Sequence, residues 1–184
     1  TLRSSSAASD VYKRQGLDHT CAILDNGDLK CWGHDKYGQL GDGAPSGPSP
    51  GGGYVYTTAP SSTAIDLGTG RTAVAVSAGE QHTCAILDNG DLKCWGGNGA
   101  GQLGDGSNSQ RTTPPSTAID LGTGRTAVAV DAGDDHTCAI LDNGDLKCWG
   151  YDYYGQLGDG GSSWTGNTNA PSSTAINLGT GRTA

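Results

Sequence analysis

One phrase, GxxHTCAILDNGDLKCWG, occurs three times in this chain, at 16–33, 79–96 and 133–150. Each copy continues into GQLGDG, beginning at Gly38, Gly101 and Gly155. A second phrase, STAIDLGTGRTAVAV, occupies 62–76 and 116–130, and a related STAINLGTGRTA begins at Ser173. The copies start at intervals of 63 and 54 residues. A unit of this size buries its apolar faces by stacking on its neighbours rather than by closing a core of its own. One unit offers four short strand-like runs, 117–121, 127–131, 136–141 and 146–149, separated by Gly, Asn and Asp. No helical period is present. Four short strands per unit is the pattern of a propeller blade. The expected fold is therefore all-β, a partial β-propeller of about three four-stranded blades. Its units are placed at 16–78, 79–132 and 133–184, the first and last incomplete. Composition agrees: 32 Gly, no Phe and no Met leave little for one large core but suit short strands and many turns.

The hairpin inside the phrase can be read to the residue. A two-residue turn at Asn26-Gly27 would oppose Asp25 and Asp28, two like charges. A three-residue loop, Asp25-Asn26-Gly27 with Gly27 at positive φ, pairs Ile23 with Leu29 and sets Cys21 opposite Cys31. Facing residues on paired strands are within disulfide reach. The six cysteines form three such pairs: Cys21 with Cys31, Cys84 with Cys94, and Cys138 with Cys148. The competing reading is zinc held by His19, Cys21 and Cys31, but structural zinc takes four protein ligands and tighter cysteine spacing. Disulfides imply an oxidising compartment, so the expected location is extracellular or at the cell surface.

Residues 1–15 share nothing with the repeats. Ser5–Gln15, SSAASDVYKRQ, reads as the translation of a transposase sequencing adapter. The stretch is set apart as a non-native leader, expected to pack against nothing, and it has no apolar centre of a signal peptide. The net charge is −8, and the rest is more acidic still once Arg3, Lys13 and Arg14 are set aside. Such a chain repels phosphate backbones, so no nucleic-acid partner is expected. No run is long and apolar enough to span a membrane as a helix.

The run AGxxHTCAILxxGxLxCWGxxxxGQLGDG resembles the repeat of the regulator of chromosome condensation family. In the middle copy, Gly79, His82, Ala85, Leu87, Gly90, Leu92, Trp95, Gly96 and Gly101-Gln102-Leu103-Gly104 carry it, and the other copies repeat the set. The resemblance covers nearly all of 16–184. The signature of WD repeats is absent. Family members usually close seven blades, which makes this chain part of a ring. They include nucleotide exchange factors, chromatin-binding proteins, photoreceptors, ubiquitin ligase domains and secreted inhibitors. The resemblance also implies a structural hydrogen-bonding role for His19, His82 and His136.

Recurrence argues against catalysis, since a catalytic group is needed once and not in every blade. Trp32, Trp95 and Trp149 recur and read as blade core. Asp42, Asp105 and Asp159 are turn formers first and calcium ligands second. No catalytic, metal or cofactor site is expected. The copies differ in their loops, at 34–37, 44–60, 97–100, 107–115, 151–154 and 161–171. Loops on a rigid frame are where partners bind. Tyr37, Tyr54, Tyr56, Tyr151, Tyr153, Tyr154 and Trp164 are the candidate anchors, expected to be solvent-exposed and to share a rim. The expected function is an exported binding or adhesion module with a protein or glycan partner. The alternatives are a regulator of a small GTPase and a polysaccharide-active enzyme. The second would draw on the carboxylates that vary at the GxxH turn, Asp18, Glu80, Asp134 and Asp135.

Overall fold

The computed structural model describes residues 13–44, 55–161, 167–179 and 182–184, and among these there is no helix. Ten strands alternate with tight turns: β1 (Lys13–Gln15), β2 (His19–Ile23), β3 (Leu29–His34), β4 (Tyr56–Thr57), β5 (Ala73–Ala78), β6 (His82–Leu87), β7 (Leu92–Gly96), β8 (Ala127–Ala132), β9 (His136–Leu141) and β10 (Leu146–Gly150). They form three antiparallel sheets, β1-β2-β3-β4, β5-β6-β7 and β8-β9-β10. Single bridges from Gly96 to Arg111 and from Gly150 to Thr168 fill the outer place that β4 holds in the first sheet. The inner strands lie side by side, β5 beside β1 on one flank and β8 on the other. The sheets fan outward from them as successive blades.

The hairpins follow the three-residue loop. Leu24 N–H donates to Asp28 O at 2.8 Å and Gly27 N–H to Leu24 O at 2.9 Å. Gly27 has φ 82°, and the Asn26 side chain accepts from Asp28 N–H at 3.0 Å. This register places Cys21 opposite Cys31, Cys84 opposite Cys94, and Cys138 opposite Cys148. All three pairs are disulfides, each with its Cα atoms 4.1 Å apart. Their surroundings differ with the cover each sheet receives. Cys84 and Cys94 are sealed between two sheets, whereas Cys138 and Cys148 are half-buried. Each bond closes a short loop, worth about 2–3 kcal/mol.

Two expectations need correction. The run 117–121 is not a strand. Its backbone is held by Ile119 N–H to Leu92 O and by Lys147 Nζ to Leu121 O, while Ile119 and Leu121 drop into the core. Alternating apolar residues mark burial, and here the burial is met without pairing. The leader, expected to be irregular throughout, pairs at its end: Lys13, Arg14 and Gln15 lie opposite Ala22, Cys21 and Thr20. They hold the place that β5 and β8 hold elsewhere. Main-chain pairing does not read side chains, and the edge of β2 takes the segment beside it. Residues 1–12 lie outside the described residues.

Apolar side chains form two seams. Cys21, Leu29, Leu40, Ala85, Leu87 and Trp95 pack between the first and second sheets. Cys84, Cys94, Leu103, Ala139, Leu141 and Trp149 pack between the second and third. The middle hairpin therefore sends odd and even residues to different seams, and every residue of β6 is buried. In β9 burial alternates, because among the described residues only one of its faces is covered.

A polar clip crosses each seam. Trp95 Nε1 and Thr83 Oγ1 both donate to the backbone carbonyl of Gln39, at 3.1 and 2.8 Å. Trp149 Nε1 and Thr137 Oγ1 do the same to Gln102, at 3.0 and 2.8 Å. The GQLG turn of one sheet thus receives the indole of the next, and Trp95 and Trp149 are fully buried. Trp32, with no such turn against it among the described residues, is only half-buried.

Gly104 and Gly106 give a test of the clip. Both are at positive φ, 70° and 78°, so alanine strains either backbone by on the order of 1–2 kcal/mol. At Gly104 the new Cβ would also lie 2.5 Å from Trp149 Nε1, whereas at Gly106 it meets nothing within 4 Å. In urea unfolding, Gly104→Ala is expected to cost about 1–3 kcal/mol more than Gly106→Ala, the usual penalty of overpacking. Equal costs would mean that the indole is not seated on the turn.

Candidate functional site

The turns that join the inner strand to the next in each sheet open on one face of the molecule. In each, the glycine of GxxH closes onto the histidine, as Gly79 N–H donates to His82 O at 2.9 Å. A Cβ on Gly79 would collide with Gly133 O of the next sheet and lie 2.7 Å from His82 Nδ1. The face therefore starts from a close approach of backbones that only glycine allows.

His19 Nε2 lies 2.8 Å from Thr83 Oγ1, and His82 Nε2 lies 2.9 Å from Thr137 Oγ1. Each threonine has one hydroxyl proton, already given to Gln39 O or Gln102 O. The oxygen must accept from the imidazole, which fixes the Nε2–H tautomer. Nδ1 of His19 and of His82 then faces the GxxH glycine with no partner. Burial lowers His19 to about 4, with His34 adding to the effect and Asp18 opposing it. Burial, with His19 and His136 behind it, lowers His82 to about 3. These rings are neutral struts of the seam, as the family resemblance implied.

The loops after each Trp-Gly rise beside these turns. His34 N–H donates to Asp18 O, Gly97 N–H to Gln81 O and Tyr151 N–H to Asp135 O. One position in each loop is structural, and sequence reasoning missed it. Asp35, Asn98 and Asp152 are buried, and each accepts from the backbone N–H of the leucine in GQLG, at 2.9, 3.0 and 2.9 Å. The signal was an Asp or Asn at one offset before every GQLG. Burial raises Asp35 to about 6, against the pull of the Leu40 hydrogen bond.

The tyrosines divide. Tyr56 and Tyr154 are 64% and 81% exposed. Tyr37, Tyr151 and Tyr153, expected to be exposed, are half-buried, because each packs beside its own loop. Tyr153 meets Tyr154 edge-on at 4.7 Å and stacks on Tyr151 at 6.2 Å. Tyr37 and Tyr56 line one open groove of about 590 Å³ together with Asp18, Lys36 and Glu80. Tyr54 and Trp164 lie outside the described residues.

The loops at 107–115 and 161–171 are not free contacts where they are described. Gly43 N–H donates to Thr112 O, and Gly106 N–H to Asn169 O, so both loops pack on the preceding sheet's turn. Asp42 and Asp159 accept from Ala44 N–H and Gly161 N–H as turn residues. Asp105 accepts from Ser107 and from Arg111 Nε at 2.6 Å. Burial pulls its carboxyl up, but these bonds outweigh it and hold the group below its usual range. The zinc reading of His19, Cys21 and Cys31 fails because both sulfurs are spent in a disulfide. The same holds in the other two hairpins, where Cys84 is bonded to Cys94 and Cys138 to Cys148.

Fanned antiparallel sheets, seamed by indole rings seated on the turns of their neighbours, make this chain part of an all-β propeller. Two profiles of one repeat, described as the regulator of chromosome condensation (RCC1) repeat, match residues 15–39, 73–102 and 127–156, and residues 89–140. The chain belongs to that family. The ultraviolet-B receptor UVR8 of Arabidopsis thaliana is 33% identical over 145 residues, which are 79% of this chain and 30% of the receptor. The E3 ubiquitin-protein ligase HERC2 of Homo sapiens is 32% identical over 146 residues, 78% of this chain and 3% of the ligase. Among solved structures, Prp20p of Saccharomyces cerevisiae superposes with a TM-score of 0.74 at 23% identity, covering 90% of this chain and 38% of that one. The chain thus spans a minor part of each of these relatives.

The neutral histidines set a pH dependence. A histidine whose folded value lies below its ordinary 6.5 stabilises the fold fully above pH 6.5, and that stability is lost as pH falls toward the folded value. His19 and His82 each contribute on the order of 3 kcal/mol over this window. Asp35 runs the other way: its share is full below pH 3.8 and lost as pH rises through about 6. Asp135, raised chiefly by burial, runs with Asp35, and the two rings outweigh these carboxyls, so the fold is expected to weaken between pH 6.5 and 4. His82→Gln, which keeps a side-chain N–H donor but cannot take up a proton, is expected to remove most of that slope in thermal melts. An unchanged slope would show that His82 does not titrate with unfolding.

Proposed function

We propose that this chain is a protein-interaction module whose partners dock on the face formed by the GxxH turns and the loops at 34–37, 97–100 and 151–154. One observation carries the reading. Where the three copies are alike, the buried repeated Cys, His, Thr and Trp side chains serve the seams, and where they differ on this face, Tyr56 and Tyr154 stand in solvent. Large aromatic rings presented by a rigid frame are what binding surfaces use. Prp20p, whose fold this chain shares, is described as binding Gsp1p and histones, which supports a propeller in this role. The proposed setting is outside the cell or on its surface, because three disulfides and no free cysteine suit an oxidising compartment.

Photo-crosslinking tests the face. A benzophenone amino acid at Tyr56 or Tyr154 is expected to capture a protein from the culture fluid or cell surface of the producing organism. The same group at Asp25 or Asn143, on the hairpin tips at the opposite end of the sheets, is expected to capture none. Adducts formed equally at the tips would overturn the reading. Protein isolated from its host is expected to take up no thiol label before reduction, and labelling of all six cysteines would remove the extracellular setting.

A further inference from the structure

Resting on that reading, we infer that the GxxH face takes a Lys- and Arg-rich peptide segment of the partner protein, laid across the groove of Tyr37 and Tyr56 toward the cluster of Tyr151, Tyr153 and Tyr154. The groove comes first. It is open, about 590 Å³, and lined by the aromatic Tyr37 and Tyr56 together with the carboxylates Asp18 and Glu80. A second aromatic group stands in the third sheet, where Tyr153 and Tyr154 meet at 90° and Tyr154 is almost wholly in solvent. Asp134 and Asp135 occupy the turn beside it, and Tyr151 N–H is bound to Asp135 O.

Charge then selects the occupant. The ion pairs among the described residues are Arg71–Asp88, Arg125–Asp142 and Arg111–Asp105, at the hairpin tips and the outer edge. None involves a carboxylate of the GxxH face. After burial, Glu80 and then Asp134 push Asp135 up, against His136 and a hydrogen bond from Gln102 Nε2 at 2.8 Å, so negative charges lie close together on this face. A lysine of the groove shows what the rings accept: Lys36 Nζ lies over the Tyr37 ring, 4.9 Å from its centroid. An ammonium or guanidinium over tyrosine, with carboxylates beside it, combines cation–π attraction and ion pairing in one place. A neutral glycan would leave the carboxylates uncompensated.

The test uses this chain and a fluorescein-labelled twelve-residue peptide alternating Lys and Arg with Gly and Ser. A Gln-for-Lys/Arg analogue and a cello-oligosaccharide serve as competitors. Fluorescence anisotropy is expected to show binding that the Gln analogue and the sugar fail to displace. The double variant Asp18→Asn/Glu80→Gln is expected to weaken Kd at least tenfold, and Tyr154→Ala at least fivefold. Asp25→Asn/Asp28→Asn, the same two charges removed from a hairpin tip, is expected to leave Kd within twofold. Equal losses for the two double variants would reduce the binding to the net charge of −8 and overturn the inference. Displacement by the sugar would overturn it in favour of a glycan. No peptide binding together with crosslinks at Tyr56 and Tyr154 would reject the cationic segment while the docking face stands. No binding and no crosslinks would reject both.

Discussion

Two donors from one sheet converge on a single carbonyl of the sheet before it. Gln39 O takes the indole N–H of Trp95 and the hydroxyl of Thr83, and Gln102 O takes those of Trp149 and Thr137. A carbonyl has two lone pairs, and both are used here. With the threonine proton committed, the histidine of the earlier sheet must supply its own N–H, and burial keeps that ring neutral in the seam. The glycines beside it then follow, since a Cβ would meet the ring or the next backbone. The repeated side chains become a linked set of requirements, and the apolar seams fill the space that the clips define.

This division of labour explains why the loops can differ. The middle copy has Gly97-Asn98-Gly99-Ala100 where the third has Tyr151-Asp152-Tyr153-Tyr154. Both loops anchor through their second residue to the leucine N–H of GQLG. The third residue of the middle loop, Gly99, and the fourth of the last, Tyr154, are released to solvent, where a surface can vary. Charge follows the same split. Asp88 and Asp142 on hairpin tips and Asp105 on the outer edge are paired with arginine, whereas on the GxxH face Asp135 is held by Gln102 Nε2 at 2.8 Å and the neighbouring carboxylates enter none of these ion pairs.

Much of this was legible from the residues. The Asp25-Asn26-Gly27 loop, the pairing of Cys21 with Cys31, of Cys84 with Cys94 and of Cys138 with Cys148, and the buried Trp95 and Trp149 follow from turn chemistry and repetition, which are local. What was not legible depended on neighbours. The run 117–121 alternates like a strand, but its apolar side chains are drawn into a seam while its backbone forms no ladder, only isolated bonds at Ile119 and Leu121. Val74 and Val128 look like core residues of an inner strand. Each is the extra residue of a bulge and is more than half exposed. On the candidate face, the aromatic residues of the loops could be named in advance. Which of them would be half-buried could not, because that depends on Asx anchors whose partner is a backbone N–H five residues further on.

The clip also has a direction. Every unit carries an acceptor turn on one flank and the Trp–Thr donor pair on the other, so units join only head to tail, as in a heterologous assembly. Copies as alike as these invite unequal crossing-over, which deletes or duplicates whole units in a gene. At any junction so created, an intact turn meets an intact indole and the seam re-forms. The number of units can therefore drift without new chemistry having to be invented, and what limits it is the angle between neighbouring sheets.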